Sequence, residues 1–261
     1  MKLLRLLWLY FRLGVLSEME YRINFFIQLG QSMLSLGAAV ANLAIVFSHT
    51  SNLNGWDPPA LTVLLGIFFM MGGVIGFVIE PSLQRLMEDI REGTLDFVLM
   101  KPEDSQLLVG VRQVRIWKLF DIGLGCAVIV TGLIWSGEGV SVGNLSVFAL
   151  TILAGTVIVY CFWMLLATLT FWFVKLENIL VIFQFVYQAG RWPVTLYPAW
   201  LRFALTVIVP VAFATTVPAQ AITGGLETEM LAGAVLFAVF LSVAARLFWK
   251  VGVKRYSGAS S

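Results

Sequence analysis

The sequence predicts an all-α polytopic membrane protein with six transmembrane helices. Of its 261 residues, 59% are hydrophobic and only 12% are charged, whereas a soluble domain carries about 25% charged residues. A bilayer core roughly 30 Å thick needs about 20 apolar residues per helix, and several stretches of that length alternate here with groups of Lys and Arg. We therefore expect a single membrane domain, 1–261, without a separate soluble module.

The first 22 residues predict a helix that lies in the membrane interface. Lys2, Arg5 and Arg12 fall within an arc of roughly 80° on a helical wheel, and most other residues there are Leu, Trp, Tyr or Phe. A helix with cations on one face and apolar residues on the other rests at the headgroups. The alternative is an extended start to the first span.

Seven apolar stretches follow, but the charge pattern favours an even number of crossings. They are 23–47, 61–79, 116–135, 145–174, 179–196, 199–217 and 230–249. Four Lys and Arg precede residue 23, and four lie between Arg246 and Arg255. Because basic segments stay in the cytoplasm, both termini are predicted to be cytoplasmic. The loops 49–60 and 136–144, which six spans place outside, contain no Lys or Arg.

The stretch 199–217 is the one that we exclude from the spans. Pro198 precedes this stretch, Pro210 lies inside it and Pro218 follows it. Proline removes a backbone donor and disfavours helix in the residue before it. Irregular backbone at membrane depth must be covered by protein or line a cavity. We therefore predict re-entrant outer-leaflet helices within 197–229, beside a cavity. The residues assigned to this region are Arg191, Tyr197, Pro198, Arg202, Pro210 and Pro218.

Two residue pairs inside the predicted spans are candidate functional groups. Gly72 and Gly76 form a G-x-x-x-G pattern, which lets helix backbones approach closely, in ordinary packing or along a moving interface. Lys118 and Asp121 share a helix face near the cytoplasmic boundary. Intramembrane charges mark functional sites by default, but this pair can neutralise itself, so a transport role and a structural role both stay open.

The polar segment 80–115 predicts an ordered helical element on the cytoplasmic side. Pro81 suits the first position of a helix, and Gly93 suits a helix end in the left-handed conformation. Thr94 can cap a second short helix, with Asp96 in its first turn. Pro102 ends that helix. The prediction is a helix, a tight break, and a short amphipathic helix.

Three strings in the chain carry a family resemblance. Arg-Glu-Gly-Thr-Leu-Asp at 91–96 is followed by Lys-Pro at 101–102, and Tyr-Pro-x-Trp-Leu-Arg-Phe at 197–203 continues to prolines 210 and 218. The C-terminus contains Arg-Tyr-Ser-Gly-Ala at 255–259. Together they resemble the permeases of type-2 ATP-binding-cassette (ABC) exporters, in a little-characterised bacterial branch, over nearly the whole chain. One departure is Arg91-Glu92, where the family more often has two acids.

The resemblance implies a permease that exports a substrate across the bacterial plasma (inner) membrane. It implies two copies of an ABC ATPase, which bind ATP and Mg, and a second permease chain, identical or paralogous. The segment 80–115 would couple to the ATPase through Arg91, Glu92, Gly93, Thr94, Leu95, Asp96 and Pro102. Because the chain contains no G-x-x-x-x-G-K-[ST] string, it has no P-loop of its own, and we expect no bound cofactor.

Two other functional classes fit the sequence less well. A secondary, ion-coupled transporter usually has ionisable groups at the midplane and inverted repeats, which are not evident here; it stays the alternative. An enzyme needs convergent catalytic groups, yet His49 is the single histidine and Cys126 and Cys161 lie in apolar runs. We therefore predict no catalytic residues, disulfide or metal site. The net charge of +2 indicates membrane lipids as partners, and no nucleic acid.

The substrate is the least determined part of the prediction. The spans are rich in Phe, Trp and Met and poor in charge, so the sequence predicts an apolar, aromatic cavity. Such a cavity suits a hydrophobic or amphipathic compound, aromatic cations included. Lipid-facing surfaces have the same composition, so the pattern does not identify a compound.

Overall fold

A computed structural model describes Arg12 and residues 22–137, 139–173 and 179–256. The predicted interfacial helix 1–22 lies outside the described residues apart from Arg12 and Arg22. The α-helices in chain order are α1 Arg22–Phe47, α2 Pro58–Val74, α3 Glu80–Glu92, α4 Asp96–Leu99, α5 Ser105–Gly110, α6 Lys118–Ser136, α7 Val142–Thr168, α8 Ile179–Tyr187, α9 Ala199–Phe203, α10 Val211–Ala214, α11 Thr216–Ile222 and α12 Thr228–Arg255.

Five helices in the described part of the chain are long and apolar enough to cross a membrane. They are Phe25–Phe47, Pro58–Glu92, Lys118–Ser136, Val142–Phe171 and Thr228–Arg255. The bent pair Ala199–Ile208 and Val211–Ile222 makes a sixth if it is counted as one span. The prediction of an all-α polytopic membrane protein is confirmed, with five or six candidate spans.

The predicted span 179–196 is not one continuous α-helix in its described residues. The helix α8 has nine residues, followed by 3₁₀ turns at Gln188–Arg191 and Val194–Leu196. Nine helical residues extend about 14 Å, which is less than half the bilayer core. Pro193 is extended, with φ −59° and ψ 135°, and interrupts the helix because proline cannot donate a backbone hydrogen bond.

The polypeptide begins and ends its long helices with local signals. Asp57 accepts a hydrogen bond from the backbone N–H of Ala60 (2.9 Å) at the start of α2, and Ser141 caps α7 through the N–H of Asn144 (3.0 Å). Gly137 follows α6 in the left-handed conformation, with φ 68°. These residues satisfy backbone groups that a helix terminus leaves without partners.

The helices α2 and α6 pack closely against each other as an antiparallel pair. In the most apolar window of the helix Pro58–Glu92, 72% of the residues are buried, against 11% for α1. A Cβ on Gly125 would lie 2.4 Å from the backbone N of Met70 and 2.6 Å from the O of Gly66. The two backbones are therefore in direct contact, and only glycine fits at this crossing.

The predicted G-x-x-x-G pair has different neighbours from those expected. A Cβ on Gly72 would meet the ring of Tyr187 at 3.5 Å, and a Cβ on Gly76 would meet the aliphatic chain of Lys118 at 2.9 Å. Both glycines thus face side chains, whereas close approach of helix backbones occurs at Gly66 and Gly73. The spacing alone did not show which of these glycines meets the backbone of α6.

We expect Gly125→Ala to destabilise the protein and Gly123→Ala to leave it nearly unchanged. The methyl group at Gly125 would overlap the backbone of α2, whereas a Cβ at Gly123 has no atom within 4 Å. Overpacking of this kind typically costs about 1–3 kcal/mol. Thermal unfolding of the two variants in detergent measures the difference. Equal melting temperatures would contradict the α2–α6 crossing described above.

The antiparallel pair defines two ends of the helix bundle. Gly132, near the end of α6, lies against the backbone of Pro59 and Val63 at the start of α2. Residues 48–57, 137 and 139–141 therefore lie at one end, which we call the outer end. The segment 80–115 lies at the opposite end, which we call the inner end.

Candidate functional site

The segment 80–115 contains the helix, the tight turn and the short second helix that the sequence predicts. The helix α3 ends at Gly93, which is left-handed with φ 71° and ψ 19°. The short helix α4 follows with Asp96 in its first turn. Because α3 continues α2 through a π-helical turn at Ile75–Ile79, this turn lies on a direct extension of a membrane helix.

Thr94 does not cap α4, which corrects the prediction made for it. Leu95 precedes the helix, with no side-chain hydrogen bond to its N-terminus. The hydroxyl of Thr94 instead donates to Asp89 Oδ1 at 3.0 Å, and its backbone N–H donates to the carbonyl of Asp89 at 2.9 Å. A buried carboxylate is a stronger acceptor than water, so the hydroxyl turns back towards α3.

Asp89 is the centre of an ion-pair network inside this segment. Its side chain is 1% exposed and pairs with Arg85 Nε at 3.1 Å and with the guanidinium of Arg112. Thr94 supplies a further hydrogen bond. A buried carboxylate is stable only when it is paired and hydrogen-bonded. The network joins α3, the Gly93 turn and the chain that follows α5.

Further contacts connect residues 112–115 with the start of α3. Arg115 donates from Nη1 to Glu80 Oε1 at 2.9 Å and from Nη2 to Gln84 Oε1 at 2.8 Å. Ser82 and the backbone of Gln113 exchange two hydrogen bonds, at 2.8 and 3.0 Å. These contacts join the two ends of the segment 80–115, which therefore forms one ordered unit.

This unit is also connected to the last membrane helix. Arg246 of α12 forms a two-point ion pair with Asp104 and donates to Gln106 Oε1 at 2.9 Å. The hydrogen bond from Arg246 holds the pKa of Asp104 below its ordinary value. Trp249 donates to Ser105 Oγ at 3.3 Å. The C-terminal end of α12 thus lies at the inner end of the bundle.

The predicted coupling residues differ in how far they are exposed. Arg91, Glu92 and Pro102 are exposed, and Gly93, Thr94 and Asp96 are partly buried, whereas Leu95 is fully buried. Leu95 therefore packs inside the segment. Two apolar side chains that the sequence argument did not single out are exposed instead, Phe97 (68%) and Met100 (73%). These two side chains are the exposed apolar patch at the inner end.

The outer end is organised around Thr195, close to the predicted re-entrant residues. The tight turn at Asn54 and Gly55 places Trp56 Nε1 3.1 Å from Thr195 Oγ1, and Asn54 Nδ2 donates to Thr195 O at 3.3 Å. Arg202 donates to the same carbonyl at 2.9 Å. Tyr197 donates through its hydroxyl to the carbonyl of Ala189 at 3.0 Å.

The bent pair Ala199–Ile208 and Val211–Ile222 has an angle of 71°. Pro210 lies at the bend, and Pro218 lies within α11. The chain enters from Thr195 at the outer end, and Gly224 beyond the pair lies against Asn144, also at the outer end. The carbonyl of Phe213, near the bend, abuts Gly155 in the middle of α7. These contacts place both ends of the bent pair at the outer end and the bend against α7.

A cavity of about 400 Å³ opens between α1, α2, α6 and α8. Its walls are aromatic, as predicted, but not apolar throughout. Lys118 and Asp121 line it and are joined by an ion pair of 2.7 Å, and Arg191 lines it with its guanidinium carbon 5.3 Å from the ring centre of Phe68. The remaining polar lining includes glutamine and serine side chains of α1.

Comparison with known protein families gives a match that covers most of the sequence. Residues 33–260 match the model of the family described as ABC-2 family transporter protein. The chain belongs to this ABC-2 family. No curated protein and no solved structure gives a significant match. An ABC-2 permease is the membrane component of a transporter, and in general it works with an ABC ATPase and as a dimer.

Sequence reasoning missed several residues that organise this ABC-2 permease. Asp89 and Arg112 lie 23 residues apart, and Asp104 and Arg246 lie 142 residues apart. In the sequence, each of these residues is an ordinary charge in a polar segment or near the end of an apolar stretch. The one available signal was the i, i+4 spacing of Arg85 and Asp89, which does not reveal the burial of Asp89.

Proposed function

We propose that this chain is the transmembrane subunit of an ATP-driven exporter that moves a hydrophobic or amphipathic compound out of the cell. Two copies of a separate ABC ATPase supply the energy, and a second permease chain, identical or paralogous, completes the complex. The observation that carries the proposal is the ordered segment 80–115, together with membership of the ABC-2 family. Both termini are proposed to lie in the cytoplasm of a bacterium.

The segment 80–115 is suited to transmit movement from an ATPase to the membrane helices. Arg91 and Glu92 are exposed just before the Gly93 turn, and Phe97 and Met100 are exposed just after it. Protein interfaces commonly have an apolar centre and a polar rim. An exposed apolar patch beside charged side chains has this composition. We propose that this surface contacts the ATPase.

Two rigid connections would carry the movement onward. The helix α3 is continuous with α2 through the π-helical turn, and Arg246 links Asp104 of the segment to α12. Coupling between distant sites requires packed elements of this kind. A displacement of the Gly93 turn would therefore move α2 and α12 together.

A secondary, ion-coupled transporter is the alternative, and one observation favours it. Asp121 is almost fully buried, and its Oδ1 has no hydrogen-bond partner among the described residues. Buried carboxylates of this kind carry protons or ions in such transporters. Its other oxygen is already paired with Lys118 at 2.7 Å, so we place this function second.

Purification from native membranes tests the proposal. The tagged chain is expected to co-purify with a polypeptide that contains a P-loop, and the complex is expected to hydrolyse ATP in a vanadate-sensitive manner. Transport driven by a proton or sodium gradient in vesicles without ATP would instead establish the secondary transporter.

Cysteine labelling tests the proposed re-entrant path in a background without Cys126 and Cys161. We expect Ala199→Cys and Gly225→Cys, at exposed positions before and after the bent pair, to react with an impermeant maleimide added outside. Lys254→Cys, at the other end of α12, should react only after permeabilisation. If Gly225→Cys also requires permeabilisation while Ala199→Cys does not, the bent pair crosses the membrane completely.

A further inference from the structure

The cavity between α1, α2, α6 and α8 has an unbalanced positive charge. Its described lining residues carry three positive and two negative charges, so their net charge is +1. Arg115 is paired with Glu80 at 2.9 Å and Lys118 with Asp121 at 2.7 Å. The remaining charge is that of Arg191, which has no carboxylate partner among the described residues.

The guanidinium of Arg191 is held in place but incompletely hydrogen-bonded. It lies over the ring of Phe68 at 5.3 Å and makes a long hydrogen bond of 3.4 Å from Nη2 to Ser35 Oγ. Its Nε is buried and has no partner in the described structure. An arginine offers five donors in a planar fork that matches a carboxylate, phosphate or sulfate group. Most of the Arg191 donors therefore have no acceptor in the described structure, and Arg191 lines the cavity.

A second incomplete group faces the same cavity. The Asp121 side chain is only 9% exposed, and its Oδ1 has no hydrogen-bond partner in the described residues, because Lys118 contacts Oδ2. Buried polar atoms are nearly always satisfied. A hydroxyl or amide group of a bound molecule would satisfy this oxygen. Trp163 Nε1, on the same cavity wall, is also buried without a partner in the described residues. Three unsatisfied polar atoms from separate elements around one cavity favour a bound ligand as their missing partner.

The shape of the wall allows space for an apolar body beside these polar groups. Phe68, Phe69, Trp163, Phe183 and Tyr187 line the cavity. The π-helical turn Ile75–Ile79 interrupts α2 at the cavity, and such turns are frequent at functional sites. A volume of about 400 Å³ lies within the range of small-molecule sites.

We infer that this cavity binds an amphipathic anion, with its acidic group on Arg191 and its aromatic or alkyl body against the aromatic wall. This inference names the substrate class of the proposed exporter and rests on that function only for the direction of transport. The net positive charge of the described lining disfavours the aromatic cations that the composition alone allows.

Binding to the complex as it purifies, reconstituted in nanodiscs without ATP, tests the inference. The probes are pyrenebutyrate and the amine and alcohol of the same skeleton, detected by energy transfer from tryptophan. We expect the carboxylate to bind at least about tenfold more tightly than the amine or the alcohol. A diazirine-labelled fatty acid, competed by pyrenebutyrate, should form adducts on the cavity residues of the unmodified protein.

Three variants complete the experiment. Arg191→Gln should weaken carboxylate binding by about tenfold or more, and Arg191→Lys should restore part of it because the charge is retained. Arg255→Gln, an exposed arginine at the end of α12, should bind as the wild type does. Equal binding of the three probes, preference for the amine, adducts that lie elsewhere, or an Arg191→Gln variant that binds normally would each overturn the inference.

The adduct map needs no variant, so the test stands even if Arg191→Gln does not fold. Probe binding is measured without ATP, and co-purification with the ATPase is measured separately. If the probes do not bind, the proposed exporter function still stands. If no ATPase co-purifies, the proposed ligand site still stands.

Discussion

Replacing Gly93 with valine is expected to abolish coupling between ATP hydrolysis and transport while the protein still inserts in the membrane. Gly93 has φ 71°, a conformation that disfavours a β-branched residue by more than about 1 kcal/mol. The turn would then adopt another geometry, and α4 would move with Phe97 and Met100. The measurements are co-purification of the ATPase and transport-stimulated ATP hydrolysis.

Gly137→Val is the matched control for this prediction. Gly137 has φ 68°, nearly the same backbone conformation, but it lies at the outer end of α6 with nothing near its Cβ position. It should show a similar loss of stability and normal coupling. If both variants are uncoupled, or neither is, the special role proposed for the segment 80–115 is wrong.

Asp89→Ala is expected to have the second large effect, because it leaves two arginines and a hydroxyl without their shared acceptor. Breaking a fully buried ion pair costs about 3–5 kcal/mol. Arg85 and Arg112 are partly exposed and regain some hydration, so we expect about 1–3 kcal/mol. Faster hydrogen exchange in the segment 80–115 and a lower melting temperature are the measurements.

Glu88→Ala provides the neighbouring control. The side chain of Glu88 is 47% exposed and pairs with Arg85 at 3.2 Å, and exposed pairs contribute below about 1 kcal/mol. Its melting temperature should stay close to that of the wild type. An Asp89→Ala variant that behaves like Glu88→Ala would show that the buried network does not order the segment.

The long membrane helices and the Gly93 turn could be predicted from the sequence because each depends on local chemistry. A bilayer requires a long apolar run whatever its neighbours are, so α1, α6 and α12 are evident from hydropathy. A left-handed helix end favours glycine whatever its tertiary contacts are. The break after α8 lies at Pro193, whereas the span 179–196 was predicted from its apolar composition alone.

The contacts that organise the candidate sites could not be predicted in the same way. The pairing of Asp104 with Arg246 depends on where α12 ends relative to α5, which no local pattern encodes. The cavity was expected to be apolar because the spans are poor in charge. Its polar groups, such as Arg191 and Asp121, come singly from several elements. Only the folded arrangement brings these isolated residues to one surface.

Photo-crosslinking from Phe97 tests the central claim most directly. A benzophenone amino acid at this exposed position should form an ATP-sensitive adduct with a P-loop polypeptide in native membranes. The same group at Phe240, exposed on the membrane helix α12, should not. Adducts with the ATPase from Phe97 alone are the predicted result. Absence of that adduct, or equal adducts from both positions, would contradict the claim that the segment 80–115 couples this permease to its ATPase.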